Sequence, residues 1–312
     1  MSLNDPILYL DGGLATELER AHGKDLSGRL WSAHCLDQDP DAIKAVHLSY
    51  FKAGANVATT ASYQASIRGF LEAGYQREEA VQLMRTSVRL ACEARDEYGK
   101  GLVALSMGCY GAILANGAEY TGDYGDTITV DDLVDFHQER LAICLQEPGI
   151  DFILFETIPS YLEAQAIRKL IHSNTMNLPP VGISFSCNSD NTISDGTLLQ
   201  HCLEEFHSMS QVFAIGVNCT KPRFIPGLLQ VLKEKEQEKT ILLYPDGGEE
   251  WDAVARNWKQ DTQIPIDTFG SCMAKWASKQ LDGTRIMLGG CCGTGPAHIA
   301  SVKKHVVASS FK

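Results

Sequence analysis

Three cysteines sit where thiol chemistry is possible. Cys291 and Cys292 are adjacent, framed by Gly289-Gly290 and Gly293, at the end of the apolar run Arg285-Ile286-Met287-Leu288. Neighbouring side chains on an extended strand point to opposite faces, so both thiols converge on one atom only where the chain turns. The flanking glycines supply that freedom. Cys219, in Ile215-Gly216-Val217-Asn218-Cys219-Thr220, ends a second apolar run. Three thiolates at two strand ends could hold a zinc ion with the fourth tetrahedral position open, as a catalytic rather than a structural zinc requires. Free cysteine is also a small hydrophobe that proteins bury. On that ground Cys35, Cys92, Cys109, Cys144, Cys187, Cys202 and Cys272 read as packing.

The elements that must carry these residues follow a repeating pattern. Short apolar runs alternate with longer amphipathic ones, the signature of β-α units and a parallel sheet. Strands are expected at Ile7 to Leu10, Ala55 to Thr60, Leu102 to Met107, Asp151 to Phe155, Val181 to Phe185, Val212 to Val217, Thr240 to Tyr244 and Arg285 to Leu288. Helices are expected at Asp41 to Ala53, Glu78 to Tyr98, Val130 to Gln146, Tyr161 to His172, Arg223 to Lys235 and Ile264 to Gln280. Gly54, Gly99 and Gly149 read as helix stops. With no linker or composition shift, the whole of residues 1–312 reads as a single eight-stranded (β/α) barrel of the TIM type. The unusual residues follow the strands: Asp11-Gly12-Gly13, Ala61-Ser62-Tyr63, Glu156-Thr157, Asn218-Cys219 and the double cysteine. In such a barrel that end carries the active site.

Composition excludes other classes. Charged residues make up 21% and hydrophobic residues 44%, as in ordinary globular proteins. A net charge of −12 offers no basic field to a polyphosphate, so no nucleic-acid partner is expected. No apolar run is long enough for a bilayer and the N-terminus lacks a signal-peptide pattern, which together predict a cytosolic protein with no membrane partner. Nine histidines show no paired ligand spacing. Glu234-Lys235-Glu236-Gln237-Glu238-Lys239 reads as a solvated helix end.

Assembled, the motifs Leu10-Asp11-Gly12-Gly13, Thr59 through Gln64, Glu119-Tyr120-Thr121-Gly122-Asp123-Tyr124, Phe155-Glu156-Thr157-Ile158-Pro159, Gly216-Val217-Asn218-Cys219 and Gly289-Gly290-Cys291-Cys292 resemble the zinc-dependent homocysteine S-methyltransferases over nearly the whole chain. The Glu119–Tyr124 stretch and Tyr244-Pro245 through Gly248-Glu249 resemble the branch that uses S-methylmethionine, which usually has Asn-Ser where this chain has Asp246-Gly247. The resemblance implies a barrel, bound zinc, homocysteine and S-methylmethionine as small-molecule substrates, and methionine as product. It implies Cys219, Cys291 and Cys292 as metal ligands and Asp11 and Glu156 as carboxylates for the amino acid. Backbone N–H groups of Gly12 and Gly13 are expected to serve an anionic group, with Thr60 and Asn218 in weaker supporting positions. Trp31 and Tyr63 match donor-binding aromatics of the related betaine-using enzymes.

The residue chemistry is consistent with thiol alkylation. A free thiol is mostly protonated at neutral pH, and coordination by zinc removes its proton. A centre with four thiolates and one divalent ion carries a formal charge of −2, which attracts a cationic donor; a three-histidine zinc would instead suit water activation. Betaine as donor, selenocysteine as acceptor, or a zinc or thiol redox sensor on a non-catalytic barrel are the alternatives. S-adenosylmethionine is a further sulfonium candidate.

Overall fold

Eight runs dominated by Val, Ile, Leu and Phe have no polar face to offer water, so they are buried on both sides as parallel strands with helices packed outside. A computed structural model describes residues 1–28, 30–173, 177–236, 238–248, 251–252, 257–258, 262–280 and 284–309 of the chain. Its barrel strands are β1 (Ile7–Tyr9), β2 (Val57–Thr59), β3 (Leu102–Gly108), β4 (Phe152–Ile158), β5 (Val181–Phe185), β6 (Val212–Asn218), β7 (Thr240–Tyr244) and β8 (Ile286–Leu288). Every ladder among them is parallel, in the spatial order β1-β8-β7-β6-β5-β4-β3-β2. The inner side chains Leu8, Ala104, Leu154, Ala214, Leu242 and Met287 fill the barrel as a packed core.

The ring closes unusually. Between β1 and β2 the Asn56 N–H donates to the Tyr9 carbonyl (2.6 Å), and the other bonds run through side chains. Tyr9 N–H donates to Asn56 Oδ1 (3.0 Å) and Thr59 N–H to Asp11 Oδ2 (2.8 Å). The last joint of the barrel is thus fastened by a residue singled out for its chemistry.

The expected helices occur with ends moved by one or two residues: Pro40–Ala53, Arg77–Tyr98, Val130–Cys144, Tyr161–Ser173, Ile225–Lys235 and Ile266–Gln280. Gly54 and Gly99 do end helices in the left-handed conformation. Gly149 does not: the Val130 helix stops at Cys144, and the positive φ of Gly149 belongs to the turn into β4. Helices at Leu14–His22, Leu199–Phe206 and Pro296–Ser309 were not expected from the sequence pattern. The expected solvated helix end holds only in part: the helix ends at Lys235 and Glu234 and Glu238 are exposed, but two charges of the run are not. Glu236 is buried, and Lys239 donates to the carbonyls of Met209 (3.1 Å) and Val212 (3.0 Å). Gln237 of that run, and Glu249 of the segment after β7, lie outside the described residues.

Candidate functional site

The double cysteine sits in a loop whose peptides are nearly all tied to neighbouring strands. Cys291 N–H donates to Pro245 O (2.9 Å), Gly247 N–H to Cys292 O (2.7 Å) and Gly290 N–H to Asp11 O (3.0 Å). Thr294 closes the turn by donating its hydroxyl to Cys291 O (2.7 Å). Glycine is required here: a Cβ at Gly290 would lie 2.2 Å from Thr294 Oγ1, and Gly293 has φ 77°. The flanking glycines thus do what the sequence suggested. The turn lets both thiols face Cys219.

Cys219 follows β6 with φ 46°, a left-handed conformation that costs a non-glycine residue on the order of 1–3 kcal/mol. Across the mouth Thr157 holds φ 60°, at a register shift of β4 between Phe155 and Ile158. Asn218 restrains both sites. Its Oδ1 accepts from Thr157 N–H (2.8 Å), its amide donates to Thr157 Oγ1 (2.8 Å), and the same amide lies 3.9 Å from Cys291 Sγ. Asn218 is fully buried and does not line the cavity, so its side chain is committed to fixing its neighbours.

The sulfurs of Cys219, Cys291 and Cys292 lie within 4.8 Å of one another, with Cys219 and Cys292 at 3.8 Å. Sulfurs around a tetrahedral zinc at Zn–S of about 2.3 Å would be about 3.8 Å apart, whereas a disulfide bond is about 2 Å long. The cluster can therefore hold a metal ion as it stands. Hydrogen bonds from Cys219 and then Cys291 hold Cys292 well below the ordinary thiol range, against its burial. The remaining seven cysteines are unpaired, and six of them are buried, in keeping with packing.

These thiols form one wall of a cavity of about 370 Å³. Opposite chemistry lies deeper. Asp11 and Glu156 are 5% and 8% exposed, too buried for solvated acids. Burial raises the Asp11 carboxyl to about 8, despite hydrogen bonds from Thr59 and with a smaller contribution from Glu156. Burial likewise raises Glu156 to about 7, opposed by hydrogen bonds including one from Ser106. Ser106 donates directly to Glu156 Oε1. Glu156 lies within β4 rather than after it, as had been expected, because the strand continues through the register shift.

The other expected residues divide into two groups. Trp31, Tyr63, Gly12, Gly13 and Thr60 all line the cavity. Gly13, however, donates its N–H to the Thr294 carbonyl (3.1 Å) and does not offer it to an anion. Thr60 shares its hydroxyl with Ser62 (2.6 Å) and with Ser106 N–H (3.0 Å), which makes it part of the scaffold.

Several residues of the site were not anticipated. Ser106, Tyr244, Gln64, Glu119 and Tyr120 line the cavity. The signal for Ser106 was a polar residue inside the apolar run Leu102–Met107; for Tyr120 it was membership of a motif already singled out. Arg140 lies on the buried face of its helix. It donates to the carbonyls of Gly108 (2.6 Å), Ser62 (2.8 Å), Tyr63 (2.8 Å) and Ala65 (3.0 Å), fixing the loop that bears Tyr63. An arginine on the same helical face as Leu133, His137 and Leu141 was the available clue.

Similarity to known proteins agrees with this geometry. Residues 8–306 match the family model described as Homocysteine S-methyltransferase. The chain is 42% identical to Homocysteine S-methyltransferase 2 of Arabidopsis thaliana, covering 96% of this chain and 92% of that one. It is also 42% identical to Selenocysteine Se-methyltransferase of Brassica oleracea var. italica, covering 96% and 88%. The metallated form of the homocysteine methyltransferase MmuM from Escherichia coli superposes with a TM-score of 0.81 at 34% identity, covering 96% of each chain. With the motifs, the barrel and a metal-competent thiol cluster in agreement, this chain belongs to the homocysteine S-methyltransferase family.

Proposed function

We propose that this chain is one homocysteine-binding barrel domain that moves a methyl group from a sulfonium donor, S-methylmethionine foremost, to the thiol of homocysteine. The observation that carries the reading is the meeting, in one cavity, of three thiols within 4.8 Å and two buried carboxyl groups, in a member of this family. Cys219, Cys291 and Cys292 would hold zinc. When bound, zinc would supply a Lewis acid that acidifies an incoming thiol, whose proton is released to solvent, and leaves its sulfur a nucleophilic thiolate.

The protein's own residues do the rest. Asp11 and Glu156 hold the acceptor's ammonium group; a cation beside them brings both carboxyls back toward the ionised state. Asn218 and the strained backbone at Thr157 and Cys219 fix the thiols relative to that anchor. Trp31 and Tyr63 offer aromatic faces to the sulfonium, worth about 0.5–2 kcal/mol each where water is excluded. The new carbon–sulfur bond forms with the acceptor's lone pair as the old one breaks, its electron pair staying on the donor sulfur. That sulfur leaves as a neutral thioether, so no general acid is required. From S-methylmethionine both products are methionine. Alignment of two sulfurs and a carbon can contribute about 7–11 kcal/mol.

The test is to purify the protein under reducing conditions, measure zinc per chain, and assay methionine formation from homocysteine with each donor separately. Near-stoichiometric zinc and preference for S-methylmethionine are expected. Preference for betaine would overturn the donor assignment, and zinc without turnover on any donor would favour a sensor. A second reading, selenocysteine as acceptor, is supported by the equal 42% identity to a selenocysteine methyltransferase. Competition between the two acceptors decides it.

A further inference from the structure

Behind the sulfur cluster lies a second cavity of about 590 Å³, which the proposed chemistry has not yet used. Gly117, Tyr120, Cys219 and Cys292 line both cavities, so these four residues lie between them. The two sides differ in charge. The described residues lining the first include Asp11, Glu156 and Glu119 and no lysine, arginine or histidine. The second is lined by Lys221, Arg223 and Asp246, with Phe224 and Asn188 beside them. Lys221 Nζ lies 3.0 Å from Asp246 Oδ2, and Asp246 Oδ1 also accepts from Gly248 N–H (2.9 Å).

Methyl transfer between two amino acids brings two carboxylates and two ammonium groups to one sulfur cluster. In-line displacement sets acceptor sulfur, carbon and donor sulfur on one axis, so the two amino-acid ends point away from each other. The first cavity suits an ammonium and lacks a described cation for a second carboxylate. A buried carboxylate needs a charged or hydrogen-bonding partner. We infer that the second cavity is the binding site for the amino-acid end of the donor, a zwitterion whose carboxylate meets Arg223 and whose ammonium meets Asp246. This assignment rests on the proposed methyl transfer, deepening it by giving the donor's amino-acid end a chamber of its own while its sulfonium stays beside Trp31 and Tyr63.

The experiment compares wild type, Arg223→Gln and Arg223→Lys, zinc-loaded and with homocysteine saturating. Donors are S-methylmethionine and trimethylsulfonium, which presents a methyl sulfonium without an amino-acid end. The ratio of kcat/KM for S-methylmethionine over trimethylsulfonium is expected to fall at least about tenfold in Arg223→Gln, the loss of one charged hydrogen bond, and to recover largely in Arg223→Lys. An unchanged ratio, or equal losses on both donors, overturns the assignment. Wild-type turnover tests the proposed function separately. Calorimetric titration of S-methylmethionine into each protein decides the donor site without turnover: a Kd at least about tenfold weaker in Arg223→Gln supports it and an equal Kd refutes it.

Discussion

The sulfur side and the carboxyl side of the cavity impose different strains on the fold. On the sulfur side the cost is conformational and local: Cys219 and Thr157 sit at positive φ, and three thiols crowd within 4.8 Å. On the carboxyl side, where Thr157 directly follows Glu156, the added cost is desolvation, which raises Asp11 to about 8 and Glu156 to about 7. On the proposed reading, a metal would offset the crowding of the thiols and a cationic ligand the desolvation of the carboxyls. The two halves of the site are therefore prepared for different guests and should fail separately.

The largest expected effect breaks the sulfur side. Cys219→Ala should lose zinc and activity together, read by metal analysis and methionine formation; retention of both would remove Cys219 from the ligand set. Next comes a control outside both sides. His47 is fully buried, and burial lowers it to about 4. Its stabilisation is complete above the unfolded value of about 6.5 and lost as pH falls toward 4, about 3 kcal/mol in all. His47→Leu should flatten the stability loss between those pH values in denaturant titrations; an unchanged slope would assign acid sensitivity elsewhere. Asp11 and Glu156 act with the opposite sign. Their folded values are raised, so their contribution is full at low pH and lost as pH rises through about 7 and 8.

On the carboxyl side, Asp11→Asn should raise KM for homocysteine about 10–100-fold, the loss of one charged hydrogen bond, while zinc content stays as in wild type. A parallel loss of zinc would mean that the two sides are one unit. The smallest effect is expected at the joint. Asn218→Ala removes two hydrogen bonds to Thr157 and the contact with Cys291, and should cost about 1–3 kcal/mol of stability with a partial loss of metal affinity.

Much of this was legible in the sequence because it depends on local pattern. Unbroken apolar runs mark strands buried on both faces, and glycines beside Cys291-Cys292 mark a turn. The eight strands were located to within a few residues on that basis. What escaped depends on partners distant in sequence. Nothing near Gly13 reveals that its N–H is taken by Thr294, and nothing near Asn218 reveals that its amide reaches Thr157. Glu156 was placed beyond its strand because an apolar run ends at Phe155, while the backbone ladder continues across the irregularity to Ile158. The partners of Arg140 were hidden for the same reason: three carbonyls after β2 and one at the end of β3 justify burying its charge, and each lies more than thirty residues away.

The seam between the first two strands has a consequence for motion. Thr59 is fastened to both carboxylate oxygens of Asp11, a residue that lines the cavity. Anything that engages that carboxylate is also a clasp on the wall's thinnest stave. Amide exchange at Thr59 should therefore slow when an amino acid occupies the chamber, and the vacant protein should begin to open along this line before any other.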